Sequence, residues 1–247
     1  MILAARQRQV RRVAALGLVA MLFAGCSQIP NVTATPSLAP LDTVAPPAPT
    51  FSLAPAPSNC PTAAPTALTG TATVTIVTNF GKIVIQADAS LGANAAGTFV
   101  ALSQCGYYNN LIFHRIVKKF IIQSGDGTYG REPNLTLSKV GQGGPDWTIK
   151  DDAVNTPLVR GMVALAEKSG QANSANSQFF IVLDDKAFPT TTNTYPIVGK
   201  VTAGMDIVDR IALVPTGGEP EAQGGSAGTG TLPLQPIVIL TTTVTVP

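Results

Sequence analysis

Half of the proline in this chain lies in one place. Ten of the 20 Pro residues fall between Ser27 and Leu68, among Ala and Thr and a single charged side chain, Asp42. Proline has no backbone N–H and a fixed φ, so such a stretch builds neither a helix interior nor a central strand. With few large apolar side chains to bury, residues 27–68 read as a disordered, polyproline-like linker. The 247 residues are thereby divided into a short head, a tether and a long tail, and any core must come from the tail, 69–247.

The head reads as an address. Arg6, Arg8, Arg11 and Arg12 precede an apolar run of 11 residues, Val13 to Phe23. A membrane-spanning helix needs about 20, so residues 1–26 are a secretion signal rather than a permanent span. Ala24 and Gly25 then lead to Cys26, a pattern that resembles the lipobox of bacterial lipoproteins, with Phe23 where Leu is usual. The resemblance implies lipidation of Cys26 and an extracytoplasmic protein anchored to the cell membrane of a bacterial envelope; the alternative is an ordinary cleaved signal with an incidental Cys. Removing the head takes four of the 16 basic residues and none of the 14 acidic ones, so +2 becomes −2. A nucleic-acid partner is excluded on that balance.

Three Cys and one His cannot supply a four-ligand zinc cage, and no metal or cofactor is expected. The tail is rich in Thr, Val, Ile and Gly, which points to an all-β domain. Thr73–Thr78 and Lys82–Ala87 are β-branched runs joined by Asn79-Phe80-Gly81, a hairpin signal. Further strands are predicted over Ile112–Gln123, Gly161–Ala166, Gln178–Leu183, Pro196–Val201 and Ile237–Val246, and helices over Asn94–Cys105 and Gly204–Ala212. Seven or so short strands with two helices suggest a closed barrel or sandwich. Two motif matches are set aside. Gly125–Gly130 fits G-x-G-x-x-G, but Arg131-Glu132-Pro133-Asn134 follows instead of a helix start. Gly224–Gly228 fits the hydrolase elbow inside a low-complexity loop.

The chemistry concentrates in Phe113-His114-Arg115-Ile116 and the residues to Asp126. Arg115 and Gln123 are an even number apart, so on one strand they share a face with Phe113 and Ile121. Alone, that pattern describes an Arg stem packed on a barrel and paired with a surface carboxylate. It is accompanied, in order, by Gly141-Gln142-Gly143-Gly144-Pro145, Gly161–Ala166, Ser177-Gln178-Phe179-Phe180-Ile181 and Val198-Gly199-Lys200-Val201. This series resembles the cyclophilins from about Thr71 to the C-terminus.

The resemblance implies an eight-stranded antiparallel cyclophilin-like β-barrel capped by two short helices, acting as a peptidyl-prolyl cis-trans isomerase on proline-containing polypeptides and assisting their folding. By position, Arg115 matches the catalytic arginine and Gln123 the glutamine that orients the substrate. Phe120, Ile121 and Phe180 match the floor that receives the proline ring, and Ala166 the small residue beside it. Phe188, Tyr195 and His114 fall at further substrate-binding positions. The chemistry suits these residue types: the X-Pro barrier is about 18–20 kcal/mol, and a guanidinium that donates to the prolyl nitrogen favours the twisted amide over the planar one. A ~10⁵-fold acceleration needs only about 7 kcal/mol. The chain departs from the family at Lys118-Lys119, in an insertion over about 128–140, and at Glu167-Lys168 beside Ala166. A proline-binding chaperone or scaffold of the same fold is the alternative, and a monomer is expected. Outside the cytoplasm Cys60 and Cys105 can pair; otherwise Cys105 is a buried free thiol and Cys60 an exposed one.

Overall fold

The computed structural model describes residues 53, 57, 59–153, 156–169, 171–188, 194–217 and 230–247. Residues 1–26 with Cys26, and most of the Pro-rich stretch, lie outside them. The sheet contains β1 (Thr71–Thr78), β2 (Gly81–Asp88), β3 (Arg115–Val117), β4 (Ile121–Ser124), β5 (Met162–Leu165), β6 (Phe179–Val182), β7 (Ile197–Ala203) and β8 (Ile239–Thr245). Every pairing is antiparallel, in the order β3-β4-β6-β5-β7-β2-β1-β8. The row's two ends meet just ahead of β3 and β8. There Ile112 bridges Val238, Phe113 N–H donates to the Ile237 carbonyl (2.9 Å) and Ile239 N–H to that of Leu111 (2.8 Å). Joining the ends removes the exposed edges of the sheet, and gives the eight-stranded barrel that the sequence implied.

Strand alternation explains how short strands hold this barrel. On β1, Val74 and Ile76 point inward, and on β2, Ile83 and Ile85 meet them across the pair. The β1–β2 turn is fixed by Thr78, whose Oγ1 accepts from the Phe80 and Gly81 amides at 3.0 and 3.1 Å. Asn79 ties that turn to β8: its Nδ2 donates to the Pro236 carbonyl (3.0 Å) and its Oδ1 accepts from Val238 N–H (2.9 Å).

Helix α1 (Ala89–Gln104) starts five residues before the start read from Asn94. Asp88 caps its first turn, accepting from Ser90 N–H at 2.9 Å. The helix then breaks at Gly92, where φ/ψ leave the helical region. Asp152 restarts it, its two carboxylate oxygens accepting from the Asn94 and Ala95 amides at 3.0 Å each. Asn94 is therefore capped from a segment 58 residues away instead of acting as the cap itself. Helix α2 (Met205–Ala212) matches its expected span to one residue and buries Val208 and Ile211.

The predicted strand Ile112–Gln123 is two strands. Lys119 takes φ of 60°, and Phe120 N–H donates to the Val117 carbonyl at 3.0 Å, so Lys118-Lys119 form a tight turn between β3 and β4. Residues 59–68 have no regular secondary structure, yet they lie against the domain. Cys60 and Cys105 are joined by a disulfide, with Cα atoms 5.2 Å apart. Trp147 Nε1 donates to the Pro61 carbonyl (3.1 Å), and Leu68 N–H to that of Ala93 (2.9 Å). Gly97 permits this approach, since a Cβ there would stand 2.3 Å from the Thr66 carbonyl oxygen. The folded part of the chain thus begins ahead of the boundary drawn at Leu68.

Candidate active site

Strands β4, β5 and β6 are apolar on both faces. Ile122, Val163, Leu165, Phe179 and Ile181 fill the barrel, while their alternate neighbours Ile121, Met162, Ala164, Phe180 and Val182 form a second cluster outside it. The β3–β4 turn delivers Phe120 to this outer cluster, where its carbonyl accepts from Leu183 N–H at 2.9 Å. Phe188 closes over the two rings, its centroid 4.9 Å from that of Phe120 and 5.6 Å from that of Phe180; Tyr195 packs edge-on against Phe180 at 5.2 Å. The result is an apolar cup in a groove of about 630 Å³.

Arg115 stands at the lip of this cup. It lines the groove although only 6% exposed, and its guanidinium carbon lies 5.9 Å from the centre of the Phe120 ring. Arg115 and Gln123 share a face as cross-strand partners rather than as members of one strand, paired directly across β3 and β4. Arg115 Nη1 donates to Gln123 Oε1 at 3.3 Å.

Amide chemistry fixes which way Gln123 points. Gln178 Nε2 donates to the Gly143 and Gly141 carbonyls at 2.8 and 3.0 Å. Its Oε1 is left to accept from Gln123 Nε2 at 2.9 Å, which turns Gln123 Oε1 toward Arg115. Gln178 was quoted within its motif but given no role from sequence; the available signal is a Gln directly ahead of the apolar strand Phe179–Val182.

The two glycines whose carbonyls Gln178 grips are themselves held, through their amides, by Asp126. This buried carboxylate accepts from the Thr128 and Tyr129 amides on one oxygen (3.0 and 2.8 Å) and from Gly141 and Gly143 on the other (2.7 and 3.0 Å). Gly143 is required, because a Cβ there would come within 2.4 Å of Asp126 Oδ1. The insertion at 128–140 is clamped at both ends by one side chain, and it packs Val140, Leu135 and Tyr129 around Ile112 and Val238.

Phe120, Ile121, Ala166, Phe180, Phe188 and Tyr195 all line the groove with Arg115 and Gln123. His114 does not, which corrects its place among the substrate-binding residues. It is fully buried, because the residue next to Arg115 on an extended chain points to the opposite side. Burial, with a smaller push from Arg115, lowers its pKa to about 4, while Asp126 and Gln178 pull the other way. Among the described residues neither ring nitrogen makes a well-formed hydrogen bond, and Gln178 is the nearest polar influence on the ring.

The described residues thus form an antiparallel β-barrel with an apolar cup on its outer face and an Arg–Gln pair at the lip. Residues 73–244 match the family model for cyclophilin type peptidyl-prolyl cis-trans isomerase. A probable peptidyl-prolyl cis-trans isomerase of Brucella abortus is 36% identical over 141 residues, covering 56% of this chain and 70% of the relative. Peptidyl-prolyl cis-trans isomerase cyp18 of Streptomyces antibioticus is 31% identical over 173 residues, 68% of this chain and 95% of that one. The crystal structure of a Cryptosporidium parvum cyclophilin type isomerase superposes with a TM-score of 0.57 at 27% identity, covering 72% of this chain and 99% of that chain. The same parasite protein has been solved in the presence of the dipeptide Ala-Pro. The chain belongs to the cyclophilin-type peptidyl-prolyl cis-trans isomerases.

Proposed function

We propose that this isomerase acts on polypeptides outside the cytoplasm, tethered to a membrane by lipid on Cys26, and assists their folding. The observation that carries the catalytic part is the placement of Arg115, bonded to Gln123 at 3.3 Å and 5.9 Å from the Phe120 ring. A proline ring lodged against Phe120, Ile121 and Phe180 leaves its nitrogen beside the guanidinium. As the amide twists, conjugation is lost and the nitrogen lone pair localises, so it accepts a hydrogen bond that the planar amide refuses. That bond exists only near the transition state and lowers the barrier. Gln123, held by Gln178, takes one guanidinium N–H and aims the rest of the fork; its own amide orients the substrate backbone. No bond is made and no proton is transferred.

The test is the cis-to-trans rate of an X-Pro peptide with the full chain, beside calorimetric binding of the same peptide. Acceleration supports the enzyme, whereas binding without acceleration makes it a proline-segment chaperone or scaffold. The anchor is tested separately: Cys26→Ala should release the protein from the membrane fraction, and mass spectrometry of the wild-type N-terminus should find an acylated Cys26.

A further inference from the structure

Beyond Ala166 the groove wall carries Glu167, and behind Glu167 stands a second carboxyl group, Asp151. Asp151 is fixed in place by reciprocal bonds with Asn173: its N–H donates to Asn173 Oδ1 (2.9 Å), and its Oδ2 accepts from Asn173 N–H (2.8 Å). Its other oxygen, Oδ1, and Oε1 of Glu167 are both buried without a donor among the described residues. Two acceptors in this position are joined only by a proton between them. Burial first, and then Asp151, raise the Glu167 carboxyl to about 7. Near neutrality the pair therefore carries at least one negative charge on the wall of the groove.

The surrounding charges leave that charge open to a substrate. Asp152 is committed to the Asn94 and Ala95 amides. Lys150 and Lys168 are exposed neighbours in the chain, and among the described residues neither bridges to an acid. Across the groove, Tyr195 lies in the fields of both Glu167 and Arg115, which push its hydroxyl in opposite senses. Tyr195 and Glu167 line the same groove as the cup.

We propose that Glu167, backed by Asp151, makes this protein select proline segments in which a basic side chain flanks the proline. The inference rests on the isomerase reading of the groove and names its preferred substrates. An extended peptide with its proline in the cup sends neighbouring side chains along the groove walls. A Lys or Arg stem lies along Tyr195 and Ala166, and its charged end reaches the outer oxygen of Glu167. An acidic side chain at that place is repelled. The site is open to water, so the preference is moderate and falls with salt.

The experiment uses the full chain and a proline peptide series with Lys, Glu or Ala at each of the two positions on either side of proline. The Lys-over-Glu ratio of kcat/KM is expected to reach about fivefold at one flanking position at pH 8, to shrink at pH 6 as the pair takes up its proton, and to fall in high salt. Glu167→Gln should bring the ratio close to one. Asp151→Asn should keep the ratio and weaken its pH dependence, since Glu167 then ionises without an acidic neighbour while its burial remains. A ratio near one at every position in the wild type, an unchanged ratio in Glu167→Gln, or an undiminished pH dependence in Asp151→Asn overturns the proposal. No acceleration of the Ala peptide would instead overturn the isomerase reading, so the two failures are distinguishable.

Discussion

Arg115 and Gln123 face each other across β3 and β4, and the side-chain bond between them, 3.3 Å from Nη1 to Oε1, lies at the lip of the apolar cup. The guanidinium is aimed by a glutamine that is itself aimed by another. Removing the cation should therefore affect the chemical step far more than substrate binding.

Arg115→Ala is expected to lower kcat/KM by about 10²–10³, the loss typical of deleting one preorganised donor. Binding of the proline peptide should stay within about threefold. Arg115→Lys should recover little, because an ammonium cannot donate to the prolyl nitrogen and Gln123 through one planar fork. The coupled isomerase assay and calorimetry measure the two quantities, and equal losses in both would contradict the role.

Gln178 acts through Gln123. Gln178→Met keeps the volume but removes the bonds to Gly141, Gly143 and Gln123, and it should cost about tenfold in kcat, in line with one charge-coupled hydrogen bond. In a Gln123→Ala background the same change should cost almost nothing further. Additive losses in that double-mutant cycle would mean that Gln178 only supports the loop.

His114 makes stability depend on pH. Its folded-state value of about 4 lies below the ordinary 6.5, so the unfolded chain takes up the proton first as the solution is acidified. The contribution is whole above pH 6.5 and is lost as pH falls toward 4, amounting to about 3 kcal/mol. Glu167, whose pKa is raised from 4.5 to about 7, works in the opposite sense: its contribution is present below pH 4.5 and fades as pH rises through 7. Because the two oppose each other between pH 7.5 and 4.5, urea unfolding at both values should show His114→Gln gaining stability relative to the wild type on acidification, and an unchanged difference would contradict the His114 contribution.

Reducing the Cys60–Cys105 bond frees a loop of 45 residues. The chain-entropy model gives about 4 kcal/mol for that length, or roughly 10 °C in Tm for a domain of this size. A thermal melt with and without reductant measures it. Trp147 serves as reporter, since its indole N–H donates to the Pro61 carbonyl one residue from Cys60. Its emission should move to longer wavelength on reduction below the melting point.

Elements whose signal is local were legible in the sequence. The β1–β2 hairpin followed from β-branched runs around Asn79-Phe80-Gly81, and α2 from the spacing of Met205, Val208 and Ile211. What failed depended on distant partners. The start of α1 was misplaced because Asp152 provides the cap at its break. The β3–β4 turn was hidden because Lys118-Lys119 carries no Gly or Pro, although Lys119 adopts a positive φ. Arg115 and Gln123 survived that error, since an even offset along one strand and a direct cross-strand pair both leave two residues on the same face. The Gln178 relay and the Glu167–Asp151 pair join residues far apart in the chain, and nothing near them in sequence announces the contact.

On β6 the reader meets two scripts written in alternating letters: Phe179 and Ile181 belong to the barrel's filling, Phe180 and Val182 to the outer cluster, from which Phe180 lines the groove. Evolution or an engineer can rewrite one set while leaving the other untouched. Changes at the outward letters reshape the cup without touching the barrel's filling, and their cost in stability falls on the outer cluster alone.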